Sequence, residues 1–212
     1  MLKLASVLIA GLVAMGGWAV VTVKDLPEYF VAGQQYTIEF EVRQHGHTLL
    51  SGLRPQLVIE TPAARDVVIP AVARSAEGTY AVTFPVPRPG AGQVRLTIRS
   101  GFGNNELRLY PQAVVAAGSS RPALAARDRG QILFVATGCN TCHSNTDLTD
   151  RPENQVITVG PALGGRHLAR EYVIQKVKNP ASQIMPDLGL SDADVAAIAA
   201  FLSGERAAAS GR

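Results

Sequence analysis

The chain of 212 residues contains two cysteines, Cys139 and Cys142, and His143 follows the second directly. In an exported chain two cysteines ordinarily read as a disulfide. Here the pentapeptide Cys139-Asn140-Thr141-Cys142-His143 is C-x-x-C-H, the signal for covalent attachment of haem c. Two thiols at this spacing can add to the two vinyl groups of one porphyrin edge, while the adjacent imidazole turns onto the iron. Other chemistries fit less well. A redox dithiol sits at a strand-to-helix turn of a βαβ fold, and no strand precedes Cys139. Structural zinc needs four ligands, and Cys139, Cys142, His143 and His167 leave one awkwardly spaced pair. The expectation is one covalently attached haem c.

The iron's sixth ligand can be sought among methionines and histidines. Met1 and Met15 fall in an N-terminal targeting segment, which leaves Met185, 42 residues after His143 in a proline-bounded stretch. His167 is the competing ligand, and Met185 could also be a plain core residue. Methionine opposite histidine favours ferrous iron, raises the potential relative to two imidazoles and leaves no vacant position. That points to electron transfer and away from enzymatic chemistry.

The elements around these residues read as helices. Asp128 to Thr137 carries apolar residues at helical spacing and stops at Gly138. His167 to Val177 is a second candidate, ending before Asn179-Pro180. Ser191 to Leu202 is the clearest. Ser191 with Asp194 resembles a capping box, Val195, Ile198, Ala199 and Leu202 share a face, and Gly204 follows.

With these motifs in place, residues 128–204 resemble a class I monohaem cytochrome c domain. A helix containing Gly130 and Phe134 leads into the attachment motif. Gly160-Pro161-Ala162-Leu163 resembles the family's Gly-Pro-x-Leu loop, Asn179-Pro180 and Met185-Pro186 follow, and a C-terminal helix containing Phe201 closes the unit. The resemblance implies an all-α domain in which the helices around Phe134 and Phe201 cross beside the haem. It also implies distal ligation by Met185 and a Pro161 backbone carbonyl that accepts the His143 ring N–H. Arg166 and Tyr172 are weaker candidates to approach a propionate.

Before the linker expected over residues 117–127, residues 18–116 show short alternating segments broken by Gly and Pro. Tyr36 to Val42, Gly78 to Val86 and Gln93 to Arg99 alternate cleanly. Trp18 to Val23, Leu57 to Ile59, Val67 to Ile69 and Leu107 to Val115 supply further strands. About seven strands in about 100 residues predict an immunoglobulin-like β-sandwich, loosely similar to small periplasmic domains of the YtkA/FixH type. The expected architecture therefore has two domains, an N-terminal all-β sandwich and a C-terminal all-α cytochrome c domain. His45-Gly46-His47 could bind copper or zinc, but no methionine, cysteine or further histidine of this domain offers a third ligand. Glu39, Glu41 or Glu60 could, yet acidic residues on a strand's polar face need no such role, and a solvated hairpin tip is the simpler reading.

Residues 1–17 read as a signal peptide or membrane anchor: Lys3 precedes an apolar run from Leu4 to Val13. Either role takes the rest of the chain to a periplasmic or other extracytoplasmic location, with an N-terminal membrane tether in the second case. Residues 205–212 read as a flexible tail.

Composition narrows the function classes further. Lys and Arg number 20 against 17 Asp and Glu, a net charge of +3 with no basic stripe, so nucleic-acid binding has no footprint. The expected partners are redox proteins, namely an oxidase, a reductase or a quinol-oxidising complex. The expected function is an exported monohaem electron carrier, not an enzyme. The competing readings are an open-iron haem enzyme or sensor, and a copper-handling or assembly module built on the sandwich.

Overall fold

The computed structural model describes residues 17–204 apart from 63, 87–91, 120, 122, 151–156, 158 and 182–183. The targeting segment and the C-terminal tail expected from the sequence lie outside the described residues, save Gly17 at the end of the first. Among the described residues no helix is long and apolar enough to cross a membrane.

The first half is a two-sheet β-sandwich. One sheet is built on β1 (Ala19–Val23), β3 (Gln35–Gln44), β8 (Thr79–Pro85) and β7 (Val72–Ala73), side by side in that order, with β4 (Thr48–Leu49) pairing to β3. The other runs β2 (Tyr29–Val31), β11 (Gln112–Val115), β9 (Gln93–Arg99), β5 (Gln56–Thr61) and β6 (Ala64–Pro70), with β10 (Glu106–Arg108) pairing to β9. The β2–β11 pair is parallel.

Alternation builds the core. In β3, Ile38, Phe40 and Val42 are buried while Thr37 and Glu39 face solvent, and in β9 Val94, Leu96 and Ile98 point inward. Phe30 of one sheet meets Tyr36 and Phe84 of the other edge-on, at 4.8 and 5.8 Å between ring centroids, a favoured arrangement for aromatic quadrupoles. The strands not foreseen are the short β2, β4 and β7, whose two or three residues carry no readable period. The segment expected as one strand from Leu107 to Val115 divides into β10 and β11. β6 forms a sheet edge, and its Val67 and Val68 are about half exposed (52% and 48%).

The second half is helical: α1 (Ala126–Ala136), the single turn α2 (Cys139–Cys142), α3 (Arg170–Lys178) and α4 (Asp192–Ser203). Ser191 caps α4 by accepting a hydrogen bond from Asp194 N at 3.1 Å, and Asp194 Oδ2 lies 2.8 Å from the Ser191 hydroxyl. This satisfies one of the free amides of the first turn. α3 starts three residues after the expected His167, because His167 takes a left-handed conformation (φ 43°). Leu168 N instead donates to Leu202 O at 3.0 Å, tying the approach to α3 onto the end of α4. α1 and α4 cross at Gly130, which lies directly on the Ala197 carbonyl, and Phe134 meets Phe201 at 5.6 Å with ring planes 61° apart.

The two halves are docked. Helix α1 begins at Ala126, within the stretch expected as linker, and Leu124 N donates to Glu28 Oε2 at 3.0 Å. Arg129 donates to Leu26 O at 2.6 Å, and Arg95 pairs with Asp150 at 2.6 Å. One apolar cluster runs from Val21 and Leu107 of the sandwich to Leu133, Phe134 and Phe201 of the helices.

β1 explains how one strand serves both sides. All five of its residues are buried, although it lies at a sheet edge. Val21 and Val23 pair with Val42 and Phe40 and so face the sandwich core. Val20 and Thr22 pair with Arg43 and Glu41 on the other face, which the helical half covers. A continuous apolar strand buried on both faces is the physical outcome.

Candidate functional site

The attachment motif is positioned from both ends. α1 stops at Thr137, whose hydroxyl donates to Leu133 O at 2.8 Å. Gly138 then takes a left-handed turn (φ 80°) that starts α2, a conformation only glycine adopts without cost. His143 N donates to Cys139 O at 2.9 Å, closing the turn.

The segment from Ile157 to Leu163 is bonded back onto the motif. Ile157 N donates to Thr141 O at 2.8 Å, Gly160 N to Cys142 O at 3.1 Å and Leu163 N to Ser144 O at 2.8 Å. This brings the Pro161 carbonyl oxygen to 2.9 Å from His143 Nδ1. With Nδ1 donating to that carbonyl, Nε2 is the nitrogen left with a lone pair for a metal. Gly160 lies against the face of the same ring, where no side chain would fit.

Cys139, Cys142, His143, Pro161 and Met185 line one cavity of about 300 Å³, at the small end of the range for ligand sites. Its remaining walls are mostly apolar, with Leu163, Leu168, Val173, Val177, Leu188 and Leu202 among them. α3 contributes one face: Tyr172 and Lys176, four residues apart, both reach the cavity, and Lys176 Nζ lies 5.7 Å from the Tyr172 ring centroid. Val159, Tyr172 and Ile184 at the rim are 42–50% exposed.

Both cysteines are free thiols. Burial pushes the Cys139 thiol up from its ordinary value, with the Thr137 hydroxyl at 3.3 Å acting in the opposite direction. Burial, then the neighbouring Cys139, pushes Cys142 up to about 11. An apolar crevice disfavours thiolates. These are sulfurs kept neutral and unpaired, not a low-pKa redox dithiol.

The other candidates are dispersed. His167 packs against Gly204 at the end of α4 and is not among the residues lining the cavity. Arg166 donates to Ala162 O at 3.3 Å and also stays outside it, whereas Tyr172 is inside. His45 and His47 are exposed, but Gly46 between them is buried, so the turn is not a fully solvated tip. Among the described residues no group of three or more His, Cys, Asp or Glu is arranged to hold a metal ion. Most of the apolar lining escaped the sequence reading, and so did Lys176 and Val20. Lys176 was detectable as the residue one turn beyond Tyr172, but Val20 comes from the sandwich and carries no local signal.

The site fits a haem. Two unpaired thiols, an imidazole with Nε2 available and a thioether share one apolar cavity, a donor set of the c-type cytochromes. Residues 125–202 match the family model described as cytochrome C oxidase, cbb3-type, subunit III. This stretch is thus a cytochrome c domain, a haem-binding, electron-transferring class of domain, preceded by the β-sandwich. No curated protein matches the chain. Among solved structures, the chain is similar to the CARDB domain of the PF1109 protein from Pyrococcus furiosus, determined in complex with di-metal ions. The identity is 14% and the TM-score 0.27, over 47% of this chain and 89% of that one.

Proposed function

We propose that this chain, a cytochrome c domain behind a β-sandwich, is an exported monohaem electron carrier whose iron is held by His143 and Met185. The observation that carries the reading is the single apolar cavity lined by Cys139, Cys142, His143 and Met185, with His143 Nδ1 held by the Pro161 carbonyl. When bound, the haem supplies an iron that takes up and releases one electron at a time.

The residues divide the remaining work. Cys139 and Cys142 anchor the porphyrin edge through thioethers. Pro161 O fixes the imidazole's tautomer and orientation and makes Nε2 a better donor. Met185 would hold the iron through a soft sulfur that favours the reduced state. Leu163, Val173, Val177 and Leu202 keep water away, and a low-dielectric surrounding further resists net charge on the iron. Lys176 and Tyr172, both lining the cavity, would offer a cation and a hydroxyl to a propionate.

Export is supported by the apolar run after Lys3 and by the attachment motif itself. The partner would be a redox protein of a membrane-associated complex, meeting the rim formed by Val159, Tyr172 and Ile184. Small, weak contacts of this kind suit transient electron transfer.

Optical spectra of the oxidised and reduced holoprotein test the ligand set. Wild type should show a low-spin spectrum with the far-red sulfur-to-iron band, and Met185→Ala should lose the band and bind carbon monoxide when reduced. A wild type that lacks the band and already binds carbon monoxide would overturn Met185 ligation and favour an open-iron enzyme or sensor.

A further inference from the structure

We propose that the β-sandwich is a working part of the haem site: β1 walls the crevice behind the attachment motif, and the His45-Gly46-His47 turn braces the segment that carries Met185. The inference rests on the His143/Met185 reading above and extends it to residues of the other half.

The contact at the attachment side is made by the outer face of β1. Val20 lines the cavity. A Cβ added to Gly138, the residue before Cys139, would lie 2.7 Å from Val21 O and also strike the Val20 side chain. Thr22 Oγ1 donates to Thr137 O at 3.2 Å in buried surroundings. The peptide leading into Cys139 therefore rests on a strand whose other face is locked into the sandwich core. Tight packing of this kind transmits displacement instead of absorbing it.

The same strand pair reaches the distal side. Trp18 precedes β1 and Gln44 ends β3, so both sit at the base of the turn. His45 N donates to Trp18 O and His47 N to Gln44 O, each at 3.0 Å, and the Trp18 and His45 rings stand 5.5 Å apart. At the tip Gly46 is buried with φ 78°. A Cβ there would lie 3.3 Å from Ile184 O and 4.0 Å from Pro186 Cδ. Gly46 thus leaves little more than the space of one carbon between the turn, the Trp18 ring and the residues on either side of Met185. Between α3 and α4 the described residues include no helix or strand, so the placement of Met185 depends on what packs against this segment. Holding a ligand near its bound position lowers the ordering cost of binding, and the turn does this for the Met185 sulfur.

Gly46→Val in the full-length holoprotein tests the brace, with Gly52→Val as its control. Gly52 has nearly the same left-handed backbone (φ 75°), but an added Cβ meets nothing within 4 Å. Imidazole, which competes with Met185 for ferric iron, should bind Gly46→Val about tenfold more tightly than wild type, equivalent to about 1.4 kcal/mol. The far-red band should weaken in step. Gly52→Val should keep the wild-type band and bind imidazole within about twofold of wild type. If Gly46→Val does not accumulate with haem, Gly46→Ala, whose single added carbon still crowds Ile184 O, carries the same comparison. Equal behaviour of the Gly46 and Gly52 variants, whether both unchanged or both weakened, would overturn the brace. A wild type without the far-red band would instead strike at Met185 ligation itself.

Discussion

A Cβ added at Gly160 would lie 2.6 Å from Nδ1 of His143, so the imidazole is packed flat against bare backbone. The Pro161 carbonyl one residue on holds that same nitrogen. Ring orientation is thus fixed by a contact and a hydrogen bond from adjacent residues, and neither can move without the other.

Gly160→Ala should therefore act on the iron's imidazole, not on overall stability alone. Overpacking of this kind costs about 1–3 kcal/mol, and the ring must turn away from Pro161 O to relieve it. The expected outcome is a lowered yield of haem-loaded protein and a raised high-spin fraction in the optical spectrum. An alanine variant with the wild-type spectrum and yield would show that the ring has room to spare.

The thiols offer a pH-dependent test in chain prepared without haem. Cys142 is pushed from an ordinary value of 9.0 to about 11, chiefly by burial. At pH 8 its thiolate fraction should be about a hundredfold below that of an unperturbed thiol. The higher nucleophilicity of a more basic thiolate recovers part of this, which leaves alkylation slower by about tenfold. The fold favours the neutral thiol, so the unfolded chain loses its proton first. Stability should be flat in this respect below about pH 9 and fall as pH rises toward 11. Alkylation at the ordinary rate would show that the crevice is not closed before the cofactor enters. In the haem-loaded protein neither thiol should react at any pH, and the denatured chain should keep the mass of one haem.

Gly130→Ala separates local preference from packing. In a helix interior alanine is favoured over glycine by about 1 kcal/mol, so propensity alone forecasts a more stable protein. At Gly130 the added carbon falls on the Ala197 carbonyl, backbone that cannot turn aside. The expected net effect is destabilisation of about 1–3 kcal/mol, read by denaturant unfolding of the holoprotein. A gain in stability would mean that α1 and α4 cross with slack at this point.

What was legible in the sequence was what repeats locally. The C-x-x-C-H spacing, the Ser191 cap of α4 and the alternation of Tyr36 to Val42 each involve residues a few positions apart, and the structure arranges these segments accordingly. The cavity's membership was partly legible, because the order of Gly160-Pro161, Met185-Pro186 and the last helix resembles a known domain. Val20 and Gly46 were not legible. Their partners, Gly138 and Ile184, are far off in sequence, and docking of one half on the other has no periodicity to read. The early part of the second helical segment misled for a different reason. Its side chains have helical spacing, but Leu168 N is drawn to Leu202 O and His167 bends the chain out of register.

The unbroken apolar cluster from Val21 to Phe201 has a thermodynamic corollary. Two units that share one core cannot lose their order separately without exposing the seam to water, and β1 contributes buried residues to both sides of that seam. Heating should accordingly melt sheet and helix in one cooperative transition, with far-ultraviolet circular dichroism and haem absorbance changing together. A protease cut in the segment between β11 and α1 should leave a nicked but associated particle, not a free haem-bearing fragment.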